Sequence, residues 1–127
     1  MIIKTQFDGQ LMYASVKITY RGISKVIDKL VVDTGAAKSF ISIDVVEDVN
    51  ISFENEDSIT TVYGVGGPDN SFEKVLDSVE FGSKIFHNYK IDFGSFHGDY
   101  DINGLIGLDI LKDSKVIIDL KDMTIKE

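Results

Sequence analysis

At 127 residues the chain is long enough for one domain, spanning 1–127, with a single core; 13 Lys and Arg against 21 Asp and Glu leave a net charge of -8. That balance argues against nucleic acid or an anionic membrane as partner, since both need a basic footprint. With no Cys and only His87 and His97, neither a disulfide framework nor a structural zinc site is expected, and no cofactor or metal is called for. No apolar run approaches the roughly 20 residues that span a bilayer, and the first residues lack the apolar core of a signal peptide. The expectation is a cytoplasmic protein, or a domain of something larger.

Strands dominate the chain in order. Residues 2–7 and Met12–Tyr20 flank Asp8-Gly9, a hairpin signal, and Met12, Ala14, Val16, Ile18 and Tyr20 alternate onto one face predicted to be buried. Arg21-Gly22 makes the next turn, and Ile23–Val32 runs into an acid, Asp33. Ser42 is placed to cap a short helix, with Asp44 in its first turn and Ile43 and Val46 inward. Residues 72–81 and 85–93 bracket Gly82-Ser83 as a hairpin, with Ile85, Tyr89, Ile91 and Phe93 on one side and His87 sharing it as a core or rim histidine. His97 falls in a loop rich in Gly and Asp and reads as solvated. A helical turn or two is expected over residues 107–111, then a strand marked by Val116, Ile118 and Leu120, and a turn at Asp122 into a last strand. Short, closely spaced strands with one or two short helices predict an all-β closed barrel or sandwich.

The chemistry concentrates at Val31-Val32-Asp33-Thr34-Gly35-Ala36. A carboxylate ending an apolar strand is costly unless it is hydrogen-bonded or paired. Gly35 is expected to let the backbone turn tightly enough for neighbouring amides and the Thr34 hydroxyl to reach it. The setting suits two carboxylates that share one proton and activate a water against a peptide carbonyl. Because the sequence occurs once, the second carboxylate must come from a second copy of the chain. Asp-Thr-Gly alone also suits an ordinary strand-to-turn exit. Two further segments shift that balance: Gly64-Val65-Gly66-Gly67, whose bland reading is a surface turn, and Leu105-Ile106-Gly107, whose bland reading is core packing.

In that order and with those gaps, the three segments resemble the retropepsin-like aspartic proteases of the cellular or bacterial type, over roughly residues 31–120. The resemblance implies an endopeptidase acting as a homodimer on a peptide or protein substrate, with Asp33 catalytic and Thr34, Gly35 and Ala36 supporting the loop. It implies a flap at Gly64, Val65, Gly66 and Gly67, and a support beneath the loop at Ile106 and Gly107. Val31, Val65, Ile102 and Leu105 would line substrate pockets, the Thr34 hydroxyl would bond across the dimer axis, and the Gly35 carbonyl would meet substrate backbone. The chain departs from the retroviral pattern in two places. Ala37 and Lys38 stand where acids usually grip the substrate main chain, and Leu108, followed by Asp109, stands where an interface Arg usually follows the late glycine. In the retroviral fold the chain ends interleave into an interface sheet, a role open here to residues 2–7 and 123–125. Two other classes stay open: a non-catalytic dimeric peptide-binding module on the same fold, which need not keep Asp33-Thr34-Gly35, and a dimerisation scaffold, which needs neither the acid nor the flap.

Overall fold

Alternation in β3 (Met12–Tyr20) builds the first wall: all five residues of the predicted face are buried. The computed structural model describes residues 1–64, 67–96 and 101–127. Asp8 closes the hairpin from β2 (Gln6–Phe7) to β3 by accepting the amides of Gln10 and Leu11. β4 (Ile23–Val32) returns antiparallel to β3, but the register shifts between Ala14 and Val16, opposite Lys29, which takes a φ of 53°. Such a bulge bends the strand and re-aims the residues beyond it, here the stretch that leads to Asp33.

Five more pairings close the ring. β9 (Gly104–Ile106) runs parallel to the end of β4, and β5 (Phe40–Ser42) pairs antiparallel with β9 and parallel with β8 (Lys84–Gly94). β8 pairs with β7 (Gly67–Phe81), and β7 reaches β3 again through Ile18 opposite Val79. The result is a closed six-strand barrel, β3-β4-β9-β5-β8-β7. β6 (Ile59–Gly64) extends it by pairing with the first half of β7. One register row, Ala14, Leu30, Gly104, Ile41, Phe93 and Phe72, runs through the core, and every member is buried. Gly104 is required there, because a Cβ would overlap the Phe40 carbonyl oxygen.

Several expectations need correcting. Ile85 does not share the inward side of Tyr89, Ile91 and Phe93; it is 52% exposed. Asn88 takes a φ of 52°, which inverts the alternation, so the buried members of the facing strand pass from Phe72 and Leu76 to Val79 and Phe81. His87, just beyond that inversion, is exposed and is no core histidine. His97 lies outside the described residues. Strand β7 starts at Gly67, earlier than residue 72. Ser42 caps a 3-10 turn, Ile43–Val45, by accepting the Asp44 amide, with Val46 buried as expected. The helix is α1 (Leu108–Ser114), about two turns as expected, starting one residue later than 107 and ending three past 111. Leu120 is exposed, and the turn after β10 (Ile117–Asp119) is built by Asp119, whose Oδ1 accepts the amides of Lys121 and Asp122.

The chain ends pair with each other within the chain. β11 (Thr124–Lys126) is central in a three-stranded sheet, with β1 (Ile2–Ile3) on one edge and β10 on the other. Residues 2–7 are therefore two strands, not one, divided where the Thr5 hydroxyl donates to the Met123 carbonyl. Both edges of β11 are thus paired within the chain.

One polar group sits deep in the structure without any local sequence signal. Lys74 is 3% exposed at its side chain, with Nζ 2.6 Å from Glu54 Oε1 and 2.7 Å from Asp57 Oδ2. Burial pushes its pKa down, but hydrogen bonds to Asp57 and Glu54 more than offset this and hold it raised. The ion cluster ties the 51–58 segment to the barrel, and geometry of this quality is what a buried pair needs to offset its desolvation. Among the described residues no helix is long and apolar enough to cross a membrane.

Candidate active site

β4 delivers Asp33, and β9 holds it. The Asp33 amide donates to the Ile106 carbonyl at 2.9 Å, carrying the parallel ladder one residue past the strand. The Ala36 amide donates back to the Asp33 carbonyl at 3.2 Å, closing the turn. Asp33 Oδ1 accepts the Gly35 amide at 2.9 Å, while Oδ2 has no partner among the described residues. The side chain is half-buried. Gly35 does not take a positive φ; its contribution is clearance, because a Cβ there would sit 3.2 Å from Asp33 Oδ1. The Thr34 hydroxyl does not reach the acid. It is exposed and has no partner among the described residues.

Beneath the loop, Gly107 and Asp109 make its seat. A Cβ at Gly107 would lie 2.7 Å from the Lys38 carbonyl carbon and 2.8 Å from the Ala36 oxygen, so the two backbones approach as only glycine permits. The Leu108 amide donates to the Ala36 carbonyl at 2.8 Å. Ser39, buried, donates its hydroxyl to Asp109 Oδ1 at 2.6 Å and its amide to Oδ2 at 2.9 Å, and accepts the Gly107 amide at 2.9 Å. Asp109 Oδ1 also accepts the Ile110 amide. One carboxylate thus joins the first turn of α1 to the far end of the Asp33 loop. Sequence reasoning misses both Ser39 and Asp109 as site residues. The available signal is an acid two residues past the late glycine, which reads along the chain only as a departure.

A second register row runs beside the core row, on the opposite face of the same strands: Tyr13, Val31, Leu105, Phe40, Asp92 and Glu73. Val31 lies two residues before Asp33 on an extended strand, so both side chains point the same way. Val31 is buried, Leu105 and Phe40 are half-buried, and Phe40 meets Phe96 edge-on at 4.8 Å. The row therefore brings Val31 and Leu105 together, while Ile102 stands at its Tyr13 end, lining an open cleft with Leu11, Lys29 and Asp101. Of the segment expected as a flap, Gly64 pairs with Gly67 in the β6–β7 hairpin, which continues from the Glu73 edge of the row. Val65 and Gly66 lie outside the described residues.

Asp92 is the odd member of this row. It is 5% exposed, and its Oδ1 has no hydrogen-bond partner among the described residues. Burial pushes its carboxyl pKa up; Lys38 opposes the shift, and Glu73 and Asp109 add to it. Since the native state raises this pKa above its unfolded value, the protonated form is favoured on folding. The associated stability is complete below the ordinary carboxylate pKa and is lost as pH rises through the raised one. Asp92→Asn should therefore raise the thermal midpoint at pH 7 by a few degrees, with the gain shrinking toward pH 4. Thermal unfolding of both proteins across that range checks it, and a gain independent of pH would contradict it. Among the described residues no three His, Asp or Glu side chains gather as a metal site.

The chain belongs to the aspartyl protease family, whose model it matches over residues 16–110. Its fold is retropepsin-like. It is similar to the crystal structure of a retropepsin-like aspartic protease from Rickettsia conorii, with a TM-score of 0.68 and 23% identity over 98% of this chain and 87% of that one. No curated protein sequence matches the chain.

Proposed function

We propose that the protein is an aspartic endopeptidase whose site forms when two copies bring their Asp33 side chains together across a two-fold axis. The observation that carries this reading is the state of Asp33: one oxygen is fixed by the Gly35 amide and the other has no partner among the described residues. Two carboxylates facing each other cannot both ionise easily, so the pair keeps one proton, as is known of aspartic-protease dyads. The ionised Asp33 takes a proton from a water whose oxygen attacks the peptide carbonyl carbon. The protonated one donates to the carbonyl oxygen, giving a neutral tetrahedral diol. Collapse returns a proton to one carboxylate, passes another to the amide nitrogen, and breaks the carbon–nitrogen bond.

On the same reading the other residues support the site. Ile106 and Gly107 hold the loop from below, and Ala36 receives the Leu108 amide. An extended peptide lies as an added strand, its main chain giving affinity and alternate pockets giving selectivity. Val31 and Leu105 floor the pockets beside the cut bond, with Ile102 at their edge, which favours apolar residues there. Gly64, Val65, Gly66 and Gly67 close over the peptide as a flap. The Thr34 hydroxyl, unpartnered among the described residues, bonds to the second copy, and the Gly35 carbonyl meets substrate backbone.

The test is incubation of the protein with a diverse peptide library at mildly acid and neutral pH, with products read by mass spectrometry. Cleavage between apolar residues, unaffected by chelator and blocked by a hydroxyl-bearing mimic of the tetrahedral intermediate, is expected. Binding without cleavage at any pH would favour a peptide-binding module.

A further inference from the structure

The row beside Asp33 changes character along its length. Val31, Leu105 and Phe40 are apolar, and then Asp92 and Glu73 come in the next two strands. Asp92 is directly paired with Phe40 and carries a carboxylate oxygen that nothing among the described residues satisfies. A buried acceptor without a donor is costly to the free protein and becomes favourable when a donor arrives. The charged groups around it are unevenly matched. Asp109 is occupied by Ser39 and the Ile110 amide. Lys38, the one cation among the described residues that bears on Asp92, points Nζ at Glu73 Oε2, 3.3 Å away. Two row acids thus share a single lysine that is 56% exposed, held by a weak contact, and rooted in the Asp33 loop itself.

We infer that Asp92 and Glu73 form an outer substrate subsite that takes a lysine or arginine side chain of the peptide, a few residues from the cut bond. The inference rests on the protease reading for the peptide's path through the cleft. Lys38 occupies Glu73 in the free protein, and the incoming cation supplies the donor that Asp92 lacks. Because two copies build the cleft, the subsite occurs once on each side of the cut. Preferred substrates therefore have an apolar centre flanked by basic residues, and the chain's net charge of -8 adds attraction in the same direction.

The experiment measures binding apart from chemistry. Labelled octapeptides with a central Leu-Phe and either Lys or Gln at each flanking position are titrated by fluorescence anisotropy, at neutral pH, against the full chain carrying Asp33→Asn. At one or two flanking positions the Lys peptide should bind about tenfold more tightly than the Gln peptide, the size of one partly buried charge pair. Asp92→Asn in the same background should remove that ratio while leaving the Gln peptide's affinity unchanged, and Glu73→Gln should reduce it. Equal binding of Lys and Gln peptides at every position overturns the inference. So does a Lys preference that survives both substitutions, which would be attraction to overall charge, and so does an equal loss for both peptides, which would be a purely structural role for Asp92. The same peptides are offered to the unsubstituted protein. A preference without any cleavage sinks the protease reading and leaves the subsite standing; cleavage without a preference does the reverse.

Discussion

Asp33→Asn removes peptide cleavage, lowering kcat/KM by roughly 10³-fold, the scale of positioned proton transfer, and leaves the fold intact. Asn is nearly isosteric, and its carbonyl oxygen can still accept the Gly35 amide that Asp33 Oδ1 accepts at 2.9 Å. The Asp33 amide keeps its bond to Ile106, and nothing in the barrel is disturbed. What Asn cannot do is hold or pass the proton. Chemistry should therefore go while the thermal midpoint stays. Retained turnover in purified variant protein would sink the assignment of Asp33 as the catalytic group.

Asp109→Ala is the second large effect, and it acts through position. The carboxylate receives the Ser39 hydroxyl, the Ser39 amide and the Ile110 amide, and Ser39 in turn receives the Gly107 amide. Removing it strands buried donors, each costing about 1–3 kcal/mol, and unties α1 from the loop that presents Asp33. A displacement of about 1 Å at a reacting group is enough to cost about 100-fold. We expect kcat/KM to fall by about that factor in protein that is still folded at low temperature, with the unfolding midpoint lowered and the Asp109→Asn variant intermediate on both measures. Full activity in the Ala variant would mean that Gly107 and the backbone bonds seat the loop without help.

Much of the site could be read along the chain because its logic is local. The alternation of Met12 to Tyr20 imposes its own buried face, Asp8 and Gly9 close a hairpin from neighbouring residues, and Asp33 with Gly35 makes its contact two residues away. The Ser39 to Asp109 link spans 70 positions, and the Lys74 to Glu54 pair joins a strand to a loop 20 positions away. No periodicity encodes either. The exposed Ile85 has a different cause. One residue, Asn88, adopts a left-handed conformation and inverts the alternation on which the inward assignment depended. At the chain ends, the sequence does not show which edges the short strands take; β11 pairs with β1 and β10 of its own chain.

A dilution series tests the shared dyad most directly. On the proposed reading each chain supplies one Asp33, so the site would exist only in the assembled pair and would obey mass action. Sedimentation and specific peptidase activity, measured on the same samples, should fall together as the protein dissociates. A strictly monomeric sample that still cleaves peptides with constant specific activity would contradict the account.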